Sequence, residues 1–290
     1  QSMAFSKENS AVPNYSKIND PLSSAQVEQF RSRGFVVLDL GLNEGQLQSI
    51  IDKVEPLYPE DRLQNPTAPA RVQDAWKHVE EVRELAISPT VLGALEQLFG
   101  RAALPFQTLN FPIGTRQRTH SDTVHFDSRP SGFMAGVWVA LENIDLENGP
   151  LQYYPGSQTL PVYTMQDFGL EPGYENYPAY ETHIHELVEA EGLAPEYGCI
   201  ERGQALIWHS NLLHGGAAQR DLSRSRHSQV THYYFEGCEY FTPLLSTPDG
   251  AAGRKPFWIP AHADFTLPEA HPVNKFKSRL RRLAKRVGLG

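Results

Sequence analysis

Two neighbouring copies of the pattern His-x-Asp, formed by His120 with Asp122 and by His125 with Asp127, are the residues best placed to do chemistry. On a β-strand, side chains two positions apart point to the same face, so either pair would put an imidazole beside a carboxylate. A histidine from a distant strand, such as His214, would complete a face that holds Fe(II) and leaves coordination positions open. A lone His-x-Asp is also common among surface polar residues, so the pattern needs further support.

Bulk composition places the chain among ordinary globular proteins and excludes some functions. Its 290 residues suffice for one large domain or two small ones, and 40% of them are hydrophobic while 21% are charged. The net charge of -8 argues against nucleic-acid binding. No apolar run reaches the length of a membrane span, and no signal-peptide pattern is present. Cys199 and Cys238 could pair, but the sequence favours a reduced, cytoplasmic protein.

The first hundred residues predict a flexible arm followed by helices. Residues 1–20 are polar and lack periodicity, and residues 1–2 resemble the remnant of a cleaved tag. Residues 21–265 predict a single domain, of which 21–100 form a mainly helical part. Helices are indicated by capping boxes at Ser23 and Asn43, by apolar spacing from Trp76 to Leu85, and by the run from Pro89 to Gly100. A short strand is expected at Phe35–Leu38.

The apolar period changes after residue 100. Short β-rich runs with Gly and Pro between them predict strands near 104–111, 117–126, 133–141, 150–154, 199–208 and 228–236. A mainly β fold with flanking helices follows, with a sandwich or barrel core at 101–245. Residues 161–198 interrupt this core and have little strand character. The sequence is equally compatible with a lid-like insertion over a binding site and with a solvated insertion.

The end of the chain, residues 266–290, predicts a basic helix. From Lys275 onward there are seven Lys and Arg residues and no Asp or Glu, and apolar residues recur at helical spacing. Such a helix could make weak contact with an anionic surface. Packing against the protein's own acidic domain is the interpretation we favour.

Several blocks of the β region occur together in an order typical of one enzyme family. They are Trp138–Asp145, Asn148–Leu151, Tyr154–Ser157, Gly203–Trp208, His214–Gly216, Arg226-x-Ser228 and His232-Tyr233. As a set they resemble the phytanoyl-CoA dioxygenase family of Fe(II)/2-oxoglutarate oxygenases, over roughly residues 22–245. The resemblance implies a double-stranded β-helix, a cupin-like jelly roll with helices packed outside, in agreement with the helix-then-strand order.

The resemblance also separates the two His-x-Asp pairs, which the residues alone leave open. In family members the ligand histidine stands well before the Trp-containing strand, at a distance that fits His120 better than His125. The implied iron ligands are therefore His120, Asp122 and His214, with His125 lining the pocket and the pair His125/Asp127 as the alternative. Halogenating relatives carry Gly or Ala in place of the ligand acid, so Asp122 implies hydroxylation or another oxidation.

A second implication is that 2-oxoglutarate binds as co-substrate beside O2. Its distal carboxylate needs a cation, and a guanidinium offers a planar pair of donors. The family places this arginine about a dozen residues after the distal histidine, which Arg226 fits better than Arg224. Ser228 would face the same way and could replace the serine that relatives often have at the position of Gly216. Further contacts to the co-substrate are implied for Trp138 and Asn110.

Two functions of different classes follow from these residues. The first is an Fe(II)/2-oxoglutarate-dependent dioxygenase that hydroxylates an unactivated C–H bond of a small-molecule metabolite. The alternative is a cupin-like metal-binding or sensing protein without turnover. All three ligands and the arginine are present together, which favours the enzyme. The sequence predicts neither the substrate nor the oligomeric state.

Overall fold

The computed structural model describes residues 12–59 and 70–262. Its strands are β1 (Phe35–Asp39), β2 (Val72–Gln73), β3 (Ala103–Phe111), β4 (Asp127–Arg129), β5 (Met134–Ala140), β6 (Leu151–Tyr153), β7 (Glu196–Tyr197), β8 (Gln204–His209), β9 (His214–Gly216), β10 (Ser228–Phe235) and β11 (Glu239–Phe241). Its α-helices are α1 (Ser24–Arg33), α2 (Glu44–Val54), α3 (Glu80–Ala86), α4 (Pro89–Phe99) and α5 (Tyr177–Ala190). No helix in the described ranges is both long and apolar enough to cross a bilayer.

The strands form one large sheet and two small ones. The large sheet is antiparallel throughout, in the order β1-β8-β5-β10-β3-β2. One small sheet has the order β7-β6-β9, and the other pairs β11 with β4. The predicted jelly-roll core with helices outside is therefore confirmed. Apolar side chains fill the space between the large sheet and the sheet that contains β9, among them Phe35, Trp138, Tyr153, Leu206 and Trp208.

Helices α1, α2 and α4 begin where the sequence signals predict, because those signals are local, whereas the helix predicted from Trp76 begins only at Glu80, after a 3-10 turn at Ala75–Lys77. Ser23 and Gln26 form a capping box at the start of α1, and Asn43 and Gln46 form one at the start of α2. Each box satisfies backbone N–H groups that the first turn of a helix leaves without partners. The helices then bury apolar side chains against the outer face of the large sheet. This layer fixes the sheet, whose other face lines a cavity.

One predicted strand is wrong, and it is the one that carries the His-x-Asp pattern. Residues 117–126 contain an isolated bridge between His120 and His214, followed by a 3-10 turn over Asp122–Val124. The Ser121 side chain accepts from the Thr123 N–H and opens this turn. Short polar side chains of this kind compete with strand ladders for backbone hydrogen bonds. The strand predicted at 199–208 is also shorter, since β8 begins only after Gly203 with its positive φ of 85°.

The peripheral segments differ in part from expectation. Within the predicted arm at 1–20, the Ile18 N–H donates to Pro89 O at 2.9 Å and Lys17 pairs with Glu96, so these residues are held against α4. The insertion at 161–198 contains α5, which buries Tyr180 in an apolar cluster with Tyr154 and Leu213. The insertion therefore packs against the rest of the domain. The predicted basic helix at 266–290 lies outside the described residues.

Candidate active site

A cavity of about 500 Å³ lies between the large sheet and the sheet that contains β9. Alternate residues of a strand face the same side of a sheet. In β10 and the two residues before it, this alternation points one set of side chains into the cavity. Arg226, Val230 and His232 all line the cavity, with Arg226 near one end and His232 near the other. Intervening side chains such as Tyr233 point outward, and the Tyr233 hydroxyl donates to Ala86 O on α3.

His120, Asp122 and His214 meet in this cavity. Their nearest ligand atoms all lie within 4.8 Å of one another, and each residue is 4% exposed. His120 precedes the 3-10 turn, Asp122 is its first residue, and His214 opens β9. The backbone bridge between His120 and His214 joins the two histidines, with both N–H groups bonded to the opposite carbonyl at 2.9 and 3.0 Å. A turn and a bridge thus replace the strand that the sequence predicts.

Hydrogen bonds to the backbone orient both imidazoles. The Nδ1 of His120 lies 2.9 Å from Arg118 O, and the Nδ1 of His214 lies 2.9 Å from Leu212 O. A carbonyl can only accept, so in each neutral ring Nδ1 carries the proton and Nε2 presents a lone pair. The two Nε2 atoms face Asp122 Oδ1 at 3.6 and 3.9 Å. The Gln117 amide nitrogen lies 3.3 Å from the His120 Nε2 and is the nearest competing partner for that lone pair.

The carboxylate of Asp122 is aimed by an indole. Trp208 Nε1 donates to Asp122 Oδ2 at 2.8 Å, which leaves Oδ1 toward the two imidazoles. Burial would raise the pKa of Asp122, but the neighbouring histidines, which are protonated at the acidic pH where a carboxylate titrates, outweigh it and hold this pKa well below its usual range. Within residues 12–59 and 70–262, no Lys or Arg pairs with this buried anion. A buried carboxylate facing two nitrogen lone pairs beyond hydrogen-bond distance fits a divalent cation such as Fe(II).

The histidines of the cavity differ in their protonation. Burial lowers the pKa of His214 to about 4, so this imidazole is neutral and able to bind metal at neutral pH. Burial lowers the pKa of His120 too, but the attraction of the nearby Asp122 carboxylate more than reverses this and raises the pKa of His120 above its ordinary value. A proton therefore competes with a metal ion for His120 more strongly than for His214.

Arg226 supplies a buried cation near one end of the cavity. It is 4% exposed, its Nη1 donates to Ser228 Oγ at 3.2 Å, and its Nη2 donates to Ile113 O at 3.2 Å. Its Cζ lies 5.4 Å from the ring centre of Trp138. Burial lowers the pKa of Arg226 to about 10, which still leaves it charged at neutral pH. Its Nε has no hydrogen-bond partner, and no carboxylate in the described ranges pairs with it, so the site fits an added anion.

Other residues singled out in the sequence lie elsewhere. Asn110 faces away from the cavity, where its amide donates to Gln229 Oε1 at 3.3 Å, because neighbouring strand residues alternate between faces. His125 lines the cavity beside Tyr177, with ring centres 4.7 Å apart. Asp127 does not line it, and its carboxylate accepts from Ser128 N and Ser131 Oγ. The alternative pair His125/Asp127 is not brought together around a common point.

The glycine where relatives often carry a serine is enclosed by backbone. A Cβ added at Gly216 would lie 2.8 Å from the Arg116 N and 2.6 Å from Thr115 Oγ1. The segment that leads to His120 therefore packs directly on β9, and it does so only because Gly216 lacks a side chain. Thr115 lines the cavity at this point and places a hydroxyl close to where a serine side chain would be.

Sequence reasoning missed several cavity residues. His232 is 4% exposed, its Nε2 lies 3.9 Å from Asp122 Oδ2, and its Nδ1 lies 3.0 Å from Gln107 Oε1. The even spacing of six residues from Arg226 to His232 could have identified it as cavity-facing. Trp208 carried no comparable signal, because its bond to Asp122 joins residues far apart in sequence. Arg71 and Arg254 also line the cavity.

Comparison with known proteins gives the family. The family model described as "Phytanoyl-CoA dioxygenase (PhyH)" matches residues 30–228, which is more than half of the chain. The chain belongs to the phytanoyl-CoA dioxygenase family. Members of this family are non-haem iron oxygenases that use 2-oxoglutarate, and this chain is an enzyme of that class. Membership favours the enzyme over a metal-binding protein without turnover.

Individual relatives are distant. The bovine peroxisomal phytanoyl-CoA dioxygenase is 23% identical over 257 residues, covering 78% of this chain and 72% of that protein. The L-proline trans-4-hydroxylase of Streptomyces griseoviridis is 24% identical over 234 residues, covering 71% and 84%. Some mammalian relatives match over only about half of their length. The epimerase SnoN, solved in complex with Fe3+, alpha ketoglutarate and nogalamycin RO, has a TM-score of 0.57 at 19% identity, covering 80% and 94%. This last likeness concerns the fold.

Proposed function

We propose that this enzyme hydroxylates an unactivated C–H bond of a small-molecule metabolite, with His120, Asp122 and His214 as the iron ligands. The proposal rests on one observation: three buried atoms that can bind a metal point toward one position. These atoms are the Nε2 of both histidines and Asp122 Oδ1, while backbone carbonyls and the indole of Trp208 hydrogen-bond to the other polar atoms of the same side chains. Such outer partners orient metal ligands and raise their basicity.

The residues of the cavity divide the work of binding and orientation. Bound Fe(II) and 2-oxoglutarate supply the oxidising chemistry, in which decarboxylation to succinate and CO2 accompanies transfer of oxygen from O2 to the substrate. Arg226 binds the distal carboxylate of 2-oxoglutarate, with its free Nε adding a donor and Ser228 fixing the guanidinium. The Trp138 ring beside Arg226 excludes water from this end. Asn110 lies on the other face of the sheet and takes no part.

The first test is an anaerobic visible titration of the apo protein with Fe(II) and then 2-oxoglutarate. We expect a metal-to-ligand charge-transfer band, its loss in His120→Ala and in His214→Ala, and a much higher 2-oxoglutarate requirement in Arg226→Gln. His125→Ala and Asp127→Asn are the matched controls and should keep the band, because they remove the alternative pair. A band that survives in His120→Ala but disappears in His125→Ala would reverse the ligand assignment.

The turnover test follows 2-oxoglutarate consumption and succinate release. We expect His120→Ala and His214→Ala to abolish both, and full activity in either variant would reject the assignment. A hydroxylated product, with incorporation of oxygen from labelled O2, distinguishes hydroxylation from desaturation or cyclisation.

We also propose a cytoplasmic location, which the two unpaired cysteines support. Any anionic-surface contact of residues 266–290 remains a prediction.

A further inference from the structure

We propose that the substrate of this enzyme carries a carboxylate, which binds to Arg254 at the end of the cavity away from Arg226. This inference rests on the proposed function, because it assigns the Arg226 end to 2-oxoglutarate. It adds a substrate class and a specificity-determining residue. The argument depends on how Arg254 is held, on where it lies relative to the metal ligands, and on the charge of the whole cavity.

Arg254 is held in place by aromatic rings and is not neutralised by an acid. Its Cζ lies 4.7 Å from the ring centre of Phe126 and 5.4 Å from that of Phe106. Its backbone N–H donates to Tyr240 O at 2.7 Å, which fixes the start of the side chain. Its Nε is buried without a hydrogen-bond partner, and no carboxylate in the described parts of the chain pairs with it. A guanidinium stacked in this way keeps its in-plane donors available for an anion.

The same two rings connect Arg254 to the metal ligands. The ring of His232 lies 5.2 Å from that of Phe126 and 6.1 Å from that of Phe106, and His232 Nε2 lies 3.9 Å from Asp122 Oδ2. The rings of Phe106 and Phe126 and that of His232 therefore separate Arg254 from the metal ligand Asp122. Arg71 also lines the same cavity. An acid bound there would hold the rest of the substrate near the iron.

The charge of the cavity favours an anionic substrate. Its lining residues include three arginines, at 71, 226 and 254, and one carboxylate, Asp122. Fe(II) and doubly charged 2-oxoglutarate cancel each other, and Asp122 offsets one arginine. Two positive charges then remain unmatched, in a chain whose net charge is -8. An excess of one sign of charge within a cleft raises the local concentration of ligands of the opposite sign.

A second cavity leaves room for a longer substrate. It has a volume of about 460 Å³ and shares Gln73, Gln107 and Arg254 with the first. Lys255 and Asp74 also line it, one cation and one carboxylate whose charges offset each other. Arg254 thus stands where the two cavities meet. A carboxylate held there leaves the reacting carbon in the first cavity, while any larger part of the substrate extends into the second.

The test compares carboxylic acids with their primary amides, which have nearly the same shape but no charge. Hexanoate and phenylacetate, each paired with its amide, are titrated into protein loaded with Zn(II) and 2-oxoglutarate, and binding is followed by saturation-transfer NMR. We expect at least one acid to bind about tenfold or more tightly than its amide, which corresponds to about 1.4 kcal/mol. If no acid binds more tightly than its amide, the proposal is wrong.

Variants test the role of Arg254. Arg254→Gln should remove the preference for the acid, and Arg254→Lys should keep part of it. Arg101→Gln is the matched control, because Arg101 also stacks on a ring, Phe133 at 4.1 Å, but does not line the cavity. An undiminished preference in Arg254→Gln would overturn the proposal.

The charge-transfer band distinguishes failure of this inference from failure of the proposed function. Arg254→Gln should keep the band with Fe(II) and 2-oxoglutarate, which also shows that the variant is folded. If Arg254→Gln loses the band and Arg226→Gln keeps it, Arg254 binds the co-substrate and the inference fails while the enzyme class stands. If the wild-type protein gives no band, the proposed ligand assignment fails first.

Discussion

Replacing Trp208 with phenylalanine tests whether the Asp122 carboxylate must be aimed in order to bind metal. The indole N–H donates to Asp122 Oδ2 at 2.8 Å, with both side chains at most 4% exposed. A hydrogen bond to a charged group contributes about 1.5–3 kcal/mol. About 1.4 kcal/mol corresponds to a factor of ten in affinity. We therefore expect Trp208→Phe to weaken Fe(II) binding about 10–100-fold, the range typical for loss of an outer partner of a ligand.

The assay is an anaerobic competition titration of Fe(II) against a chromophoric chelator, with the melting temperature measured in parallel. Trp76→Phe is the matched control. Trp76 is 2% exposed and its Nε1 donates to the carboxylate of Asp74 at 3.2 Å, but it does not line the cavity. Both substitutions remove a buried N–H to carboxylate bond and leave a similar void, so both should lower the melting temperature.

The two variants should differ only in metal affinity. If Trp208→Phe binds Fe(II) as tightly as the wild type while losing stability like Trp76→Phe, the indole does not orient a ligand. The hydrogen bond at Asp122 would then be a packing feature of the core, and the interpretation of Oδ1 as the metal-facing oxygen would lose its support.

Three further outcomes follow from the same geometry. Arg226→Lys keeps a charge but loses the two-pronged donor, so the KM for 2-oxoglutarate should rise about tenfold or more, at unchanged Fe(II) affinity in the chelator assay. Asp122 raises the pKa of His120, so a proton competes with the metal for this imidazole and Fe(II) affinity should fall as the pH drops from about 8 to about 6; a flat profile across competition titrations would contradict this. Gly216→Ser pushes a Cβ against Arg116 N and should cost about 1–3 kcal/mol in denaturant unfolding, whereas Gly250→Ser, with open space around its Cα, should cost little.

The sequence predicts those structural features that depend only on residues close together in the chain. The two capping boxes, at Ser23 and Asn43, each join residues three positions apart at the start of a helix, and both are confirmed. The strand predicted at 117–126 failed because a polar turn replaces it. The meeting of the implied ligands, including His214, depends instead on a bridge across more than ninety residues. Spacing alone could not choose between the two His-x-Asp pairs, and the family resemblance carried that choice.

The Arg254 end of the cavity could not be predicted because it depends on an irregularity in β3. Between His232 and Tyr233 the register against β3 shifts, so that His232 pairs with Gln107 and Tyr233 pairs with Pro105. Proline has no N–H for the ladder, which favours such a bulge at this point. The extra residue is Phe106, and consecutive side chains of β3 then approach one histidine: Gln107 bonds its Nδ1 while Phe106 stacks on its ring. A regular strand would turn one of them away. The bulge thus places the aromatic support of Arg254 beside the metal ligands, and it gives this end of the cavity its charge.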